Sequence, residues 1–217
     1  MSTQALYDFD GTITTKDTTI LLLVALLKLR PWRFSGLIWF LFRMIVASDS
    51  VSKQGHKNKA IGYLIKDLSD MRLSEALKDF RNKVEFLYRP SVVASIDQAI
   101  QDGCTVVIVT ASPSFAISDC VSDLPVIVLG TEFEKEENIY TGLLKSENCY
   151  GKEKVNRINE WARSNKIVLS VQSAWSDHFS DFDMLSLSAK RYWVGGEQLQ
   201  TLVMDHDPEA NFVHTEQ

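Results

Sequence analysis

Two aspartates one residue apart follow a short apolar run near the start of the chain: Ala5, Leu6 and Tyr7 lead into Asp8, Phe9, Asp10, Gly11 and Thr12. The apolar lead predicts a strand. Side chains alternate along a strand, so Asp8 and Asp10 leave it on one face before Gly11 lets the chain turn away. Carboxylates this close repel each other, and such a pair shares a proton, binds a cation or does both, which suits a nucleophile and an acid. The same spacing also occurs where aspartates cap and bend surface turns. The remaining residues decide between the two. Thr110 follows the β-branched run Val107, Ile108 and Val109, Lys154 opens an amphipathic segment, and Asp177 and Asp181 follow an apolar stretch that ends near Trp175. Taken singly, Thr110 and Asp181 read as helix N-caps, Lys154 as a solvated charge and Asp177 as a turn residue. Together they meet the needs of phosphoryl transfer. A carboxylate approaching a phosphate monoester requires a hard cation between them, and oxygens of Asp8 and Asp177 suit Mg²⁺. Thr110 adds a hydroxyl donor. Backbone amides around Ala111 and Ser112, expected at the start of a helix, can hold phosphoryl oxygens, and Lys154 balances the remaining charge.

The elements that must position these groups are legible as a change of rhythm. Residues 19–27 and 34–42 are apolar runs separated by Arg30, Pro31 and Arg33, each too short to span a bilayer, which takes about 20 apolar residues; they predict a helical hairpin. From residue 53 to 88 the apolar positions recur at helical spacing. Beyond Pro90 the pattern becomes βα alternation: helix 91–101, strand 105–109, helix 114–121, strand 126–129, an antiparallel excursion over 131–144, helix 152–165, a strand within 167–175, helix 181–189 and a last strand at 192–194. This predicts an α/β fold, a Rossmann-like doubly wound parallel sheet (residues 1–14 plus 90–217) with a helical cap inserted after the first strand (residues 15–89). Ligands of such sheets bind at the carboxyl ends of the strands, where each candidate residue falls.

The 217 residues suffice for one domain plus an insertion, and a hydrophobic content of 45% with 24% charged residues is that of an ordinary globular protein. Cys104, Cys120 and Cys149 are widely spaced and lack metal-ligand spacing, which predicts reduced thiols in a cytoplasmic protein; the polar start predicts no signal peptide. Net charge is −5, yet residues 18–90 hold 13 Lys/Arg against 6 Asp/Glu, +7, leaving −12 for the rest. That basic segment is expected to present either a solvated helical face or a surface turned toward an anion, a phosphorylated substrate or a membrane. With a pI of about 5.4 and no binding motif, no nucleic-acid partner is expected.

In this order the motifs resemble the haloacid dehalogenase superfamily of phosphatases, in the branch whose helical cap lies between the first two motifs and which includes phosphoserine phosphatase. The first motif is Asp8, Phe9, Asp10, Gly11, Thr12; the second Val107, Ile108, Val109, Thr110; the third Lys154; the fourth Ser176, Asp177, His178, Phe179, Ser180, Asp181. The resemblance implies that Asp8 is a nucleophile forming an aspartyl-phosphate and that Asp10 protonates the leaving alcohol and then activates water. It further implies that Asp8, Asp177 and the Asp10 carbonyl hold Mg²⁺, with Asp181 supporting the water shell. Ser176 replaces a usual glycine and His178 a usual small residue, so an imidazole is expected to be tolerated beside the metal site. Lys152 competes with Lys154 for the third motif, although the Gly-x-Glu-Lys-Val context favours Lys154.

For the substrate, Asp17 lies where phosphoserine phosphatases resemble one another in carrying an acid near the substrate ammonium, which favours phosphoserine or another amine-bearing phosphomonoester. The apolar cap runs with Trp32, Trp39, Arg30, Arg33 and Arg43, and the closing segment from Tyr192 to Leu199, resemble lipid phosphatases of the phosphatidylglycerophosphate type, with peripheral membrane contact through the cap. The expectation preferred over this is that the apolar residues pack inside the cap or at a dimer interface. A catalytically silent relative that binds a phosphorylated ligand or a protein is disfavoured by the intact set of Asp8, Asp10, Thr110, Lys154 and Asp177. A dehalogenase is disfavoured because it needs neither Asp10 nor Asp177. Cap motion would hinge near Thr14 and near Arg89 and Pro90.

Overall fold

A computed structural model describes residues 3–214. The first strand, β1 (Gln4–Tyr7), is fully buried and central. The cap helices α1 (Thr19–Leu29), α2 (Phe34–Val46), α3 (Ser50–Ile65) and α4 (Asp70–Val84) follow it, then α5 (Pro90–Gln101), β2 (Thr105–Pro113), α6 (Ser114–Cys120) and β3 (Ile127–Thr131). A hairpin of β4 (Phe133–Glu136) and β5 (Ile139–Leu144) precedes α7 (Lys152–Ser164), β6 (Val171–Ser176), the single-turn α8 (Phe182–Leu185), β7 (Ser188–Gly195), α9 (Glu197–His206) and β8 (Asn211–His214). The six-stranded sheet has the order β3-β2-β1-β6-β7-β8 with every neighbouring pair parallel. The strand order runs one way from β1 to β3 and the other way from β6 to β8. The doubly wound topology therefore reverses between β1 and β6, the place where such sheets open a crevice for ligands.

Alternation along the strands divides the core. Leu6, Val107, Val109, Ala174 and Trp193 face α7, α8 and α9 through Ile158, Met184, Leu185 and Val203. Ala5, Tyr7, Val106, Ile108, Trp175 and Val194 face the other way, in a cluster that continues through α5 and α6 into the cap residues Leu22, Leu26, Ile61, Leu64 and Phe80. Tyr7, Trp175 and Tyr192 stack across three adjacent strands, with centroids 5.7 and 4.0 Å apart. The chain enters and leaves residues 15–89 at one point, where Thr14 pairs with Tyr88 and the Arg89 amide donates to the Ile13 carbonyl. Helix α3 rests on the hairpin at a glycine pair: a Cβ on Gly62 would lie 2.1 Å from the Gly142 carbonyl oxygen.

Several boundaries differ from the sequence-based expectation. The helical pattern over residues 53–88 is two helices, because Asp67 takes a positive φ of 65° and turns the chain between α3 and α4. The helix expected over residues 181–189 shrinks to the four residues of α8, since Ser188 already pairs with Val171 as the start of β7. Strand 192–194 is not the last: α9 and the edge strand β8 follow, and four residues of β8 are too few to show a period. Strand β2 continues to Pro113, so Ala111 and Ser112 belong to the strand extension rather than to a helix start. The apolar runs of the cap do not all turn inward either. Leu37 is buried in α2, but Trp32, Phe34, Ile38, Trp39, Phe42, Ile45 and Val46 are exposed. Among the described residues no helix is long and apolar enough to cross a membrane.

Candidate active site

The end of β1 is held by the strand ladder itself, with the Asp8 amide donating to the Trp175 carbonyl at 2.9 Å. The chain then makes a five-residue turn, Phe9–Ile13, in which Gly11 has φ +80°. Only a residue without a side chain fits there, because an added Cβ would stand 2.0 Å from Asp177 Oδ2. Gly11 thus brings the end of β1 against the end of β6. Thr12 Oγ1 donates to Asp177 Oδ1 at 3.2 Å, and the Arg89 guanidinium donates to the carbonyls of Gly11 and Thr12.

Lys154, at the first turn of α7, is 2% exposed and donates from Nζ to Asp8 Oδ1 at 2.7 Å and to Asp181 Oδ2 at 2.6 Å. Lys152, two residues away, is exposed. Burial pushes the Asp8 carboxyl well above its ordinary range; Lys154 opposes that push, and Asp181 and Asp177 add to it. Burial likewise raises Asp177, against the hydrogen bond from Thr12. For Lys154, burial disfavours the ammonium, but Asp181 and Asp8 outweigh it and hold the pKa above its ordinary value. The result is a buried cation, Lys154, shared between the carboxylates of Asp8 and Asp181.

The Asp10 carboxylate accepts three hydrogen bonds. Its Oδ1 accepts from the amide and hydroxyl of Thr18, both at 2.7 Å, and its Oδ2 accepts from Ser112 Oγ at 2.5 Å. Thr110 is fully buried on the cavity wall, and its Oγ1 accepts from the Ser112 amide at 3.0 Å, leaving its hydroxyl proton to donate elsewhere. The Ser112 amide is therefore spent on Thr110. The Ser112 hydroxyl donates to Asp10 Oδ2. Ala111 lines the cavity beside Thr110. Asp17 also lines it, but its Oδ1 accepts from the Thr19 amide and its Oδ2 lies 3.6 Å from Lys57 Nζ. Burial works to raise the Asp17 pKa, and Lys57 together with the Thr19 hydrogen bonds more than offsets it, leaving the carboxyl below its ordinary value.

These groups surround one cavity of about 350 Å³ whose walls include Asp8, Asp10, Asp17, Lys57, Thr110, Ala111, Lys154, Asp177 and Asp181. Met44, Ser50, Lys53 and Gln54 close its cap side, and Tyr150, His178 and Ser180 its opposite rim. His178 Nδ1 accepts from the Ser180 amide at 3.1 Å, so the imidazole shapes the turn after β6. Sequence reasoning passed over Lys57, which is 4% exposed and donates to Ser112 Oγ at 3.5 Å. Its signal was available: Lys57 precedes Ala60, Ile61 and Leu64 by three, four and seven residues, a charge on the apolar stripe of α3. Thr18 was also passed over, and Arg89, read from the sequence as a hinge position, instead braces the Gly11 turn.

The site fits a small hard cation. Among the described residues no group of three or more His, Cys, Asp or Glu side chains is placed to hold a metal ion by itself. An ion that keeps several waters needs only one or two carboxylates, and Asp8 and Asp177 supply two. Asp181 Oδ1 is buried without a hydrogen-bond partner, while Oδ2 takes both Lys154 and Ser176. An orphaned carboxylate oxygen at this place suits a coordinated water.

Residues 5–186 match the family profile described as haloacid dehalogenase-like hydrolase. The chain is similar to protein CicA of Caulobacter vibrioides, 27% identical over 191 residues, which cover 85% of this chain and 82% of that protein. Its fold is similar to that of a Bordetella pertussis Tohama I protein of unknown function, with a TM-score of 0.78, 17% identity and coverage of 98% and 99% of the two chains. It is also similar to a substrate-bound phosphoserine phosphatase, with a TM-score of 0.60, 15% identity and coverage of 93% and 90%.

Proposed function

The chain belongs to the haloacid dehalogenase-like hydrolases, and from that premise we propose that it is a Mg²⁺-dependent phosphomonoesterase working through an aspartyl-phosphate. The observation that carries the proposal is Lys154 buried between Asp8 and Asp181 at hydrogen-bond distance, at the reversal point of the sheet. Lys154 neutralises part of the charge that an incoming phosphate would otherwise meet, and Asp8 keeps a free oxygen for attack. The Asp8 oxygen forms a bond to phosphorus as the bond from phosphorus to the leaving alcohol breaks, and Asp10 gives that alcohol its proton. Water then attacks the acyl phosphate, Asp10 takes the proton, and phosphate leaves with Asp8 restored. Thr110 and Lys154 hold the phosphoryl oxygens. Asp8, Asp177 and the Asp10 carbonyl would hold Mg²⁺, with Asp181 on its water shell. The ion would supply charge neutralisation between nucleophile and phosphate.

Residues 15–89 serve as the cap that meets the leaving group. Asp17 is less available to a substrate ammonium than its position suggests, since Lys57 already lies against it. Gln54 Oε1, buried on the cavity wall without a partner, offers an acceptor to a hydroxyl or an amine. A small phosphomonoester with a hydroxyl- or amine-bearing leaving group suits this wall, phosphoserine among them. The test is phosphate release from a panel spanning phosphoserine, phosphoethanolamine, sugar phosphates and glycerol phosphates, with and without a chelator, and with Asp8→Asn as control. Release that needs Mg²⁺ and Asp8, with an acyl phosphate trapped by hydroxylamine, is expected. Release unaffected by Asp8→Asn would overturn the proposal.

A further inference from the structure

Lys57 is a buried ammonium that no acceptor holds closely. Its side chain is only 5% exposed, yet among the described residues it makes one hydrogen bond, to Ser112 Oγ at 3.5 Å, and one ion pair, to Asp17 Oδ2 at 3.6 Å. Both are long for an N–H···O contact, which closes to about 2.7–3.2 Å. A buried charge left this loosely paired is costly, and an ammonium has three protons to give. Lys57 lines the catalytic cavity, so a bound molecule can supply the acceptor that the protein does not.

Its neighbours limit what that molecule can be. On the core side, the Ser112 hydroxyl that accepts from Lys57 donates to Asp10 Oδ2 at 2.5 Å, so the ammonium stands one hydroxyl away from the group that serves the leaving oxygen. On the cap side, Asp17 is fixed by the Thr19 amide on Oδ1 at 2.7 Å, and its side chain is 60% exposed, open to a ligand. The wall therefore sets a group that only donates beside a group that only accepts. A hydroxyl can answer both, accepting from Lys57 Nζ and donating to Asp17 Oδ2. An ammonium can answer Asp17 alone, and it would meet like charge at Lys57. Lys53, one turn earlier on the same face of α3 and also on the cavity wall, adds a second cation. Two lysines against one aspartate set this wall against a cationic leaving group, and a repulsive element of this kind discriminates between substrates as well as an attractive one does.

We propose that Lys57 is a specificity-determining residue: beside Asp17 it holds, with its own ammonium, the place a substrate amine would take, so that the enzyme selects phosphomonoesters whose leaving alcohol carries a hydroxyl rather than an amine on the carbon next to the ester carbon. The proposal rests on the phosphatase reading and narrows its leaving group. The test is kcat/KM for phosphate release in Mg²⁺ from two matched pairs, ethylene glycol phosphate against phosphoethanolamine, and glycerate phosphorylated on its primary hydroxyl against phosphoserine. Within each pair a hydroxyl replaces an ammonium and nothing else changes. Generic release is followed with p-nitrophenyl phosphate. Wild type should favour the hydroxyl member of each pair by at least about tenfold. Lys57→Met should shrink that ratio by at least about tenfold, and Lys57→Gln, which keeps a polar group in place, should shrink it as well. Both members of a pair meet the same enzyme sample, so the ratio does not depend on how much of a variant is folded. Equal rates within the pairs for wild type, a ratio that both Lys57 variants leave unchanged, or release from p-nitrophenyl phosphate alone would each overturn the role of Lys57 and leave the phosphatase reading standing. No release even from p-nitrophenyl phosphate would overturn the phosphatase reading and this proposal with it.

Discussion

Replacing Lys154 by methionine tests the centre of the site, because it keeps the volume of the side chain and removes its charge. Nζ lies 2.7 Å from Asp8 Oδ1 and 2.6 Å from Asp181 Oδ2, with the side chain only 3% exposed. At an effective dielectric of about 20, each contact is worth ~6 kcal/mol before desolvation. Desolvation of the three charges takes back most of that, and removing one partner from a buried pair costs about 3–5 kcal/mol. Against a total stability of about 5–15 kcal/mol this is a large fraction, and for a chain of this size it lowers Tm by about 10 °C. Lys154→Met should also lose about 10²–10³ in phosphate release if the lysine faces developing charge. The decisive comparison is with Lys154→Met/Asp181→Asn. Removing the second carboxylate leaves Asp8 alone without a counter-charge, so the double variant should regain at least about 1 kcal/mol over the single one. The assay is thermal unfolding by circular dichroism in chelator, so that no bound cation shifts Tm by mass action. A drop below about 2 °C for the single variant, or a double variant no more stable than the single, would refute the assignment of Lys154 as the counter-charge of both carboxylates.

Gly11→Ala should cost activity more than stability: the added Cβ falls on Asp177 Oδ2, and displacing that carboxylate should raise the Mg²⁺ concentration needed for half-maximal rate by at least about tenfold. Gly62→Ala strikes backbone rather than a flexible side chain at Gly142 and should destabilise by about 1–3 kcal/mol in denaturant unfolding. Asp207 accepts three hydrogen bonds from Arg191 and one from Trp193 Nε1, and the Arg191 hydrogen bonds, with burial opposing them, hold its pKa below the ordinary value. A carboxyl whose folded pKa is depressed stabilises above its unfolded pKa and loses that contribution as pH falls through the folded value. Asp207→Ala should therefore lower Tm near neutral pH, by about 2 kcal/mol equivalent, and the gap from wild type should close on acidification below about pH 4; a gap constant with pH would remove the ionic role of Asp207.

What the sequence determined is the part of this protein that depends on short-range pattern. Asp8 and Asp10 are legible because an apolar strand leads into a glycine turn within a handful of residues, and the βα alternation past Pro90 carries the parallel sheet with it. Asp177 and Lys154 followed because such a sheet gathers the ends of its strands. Tertiary structure decided everything that needs two distant segments to meet. That Lys154 rather than Lys152 bridges Asp8 and Asp181 depends on which side of α7 packs inward. That Ser112 spends its amide on Thr110 and its hydroxyl on Asp10 depends on β2 outrunning its expected end. Lys57 meets Asp17 and Ser112 only because α3 folds back over the sheet. The outward face of α2 is the plainest case, since Ser35 and Arg43 mark its outer side in the sequence, while the apolar residues that flank them there are left uncovered only by the packing. Composition records how much apolar surface the cap possesses, and only packing decides how much of it is left facing out.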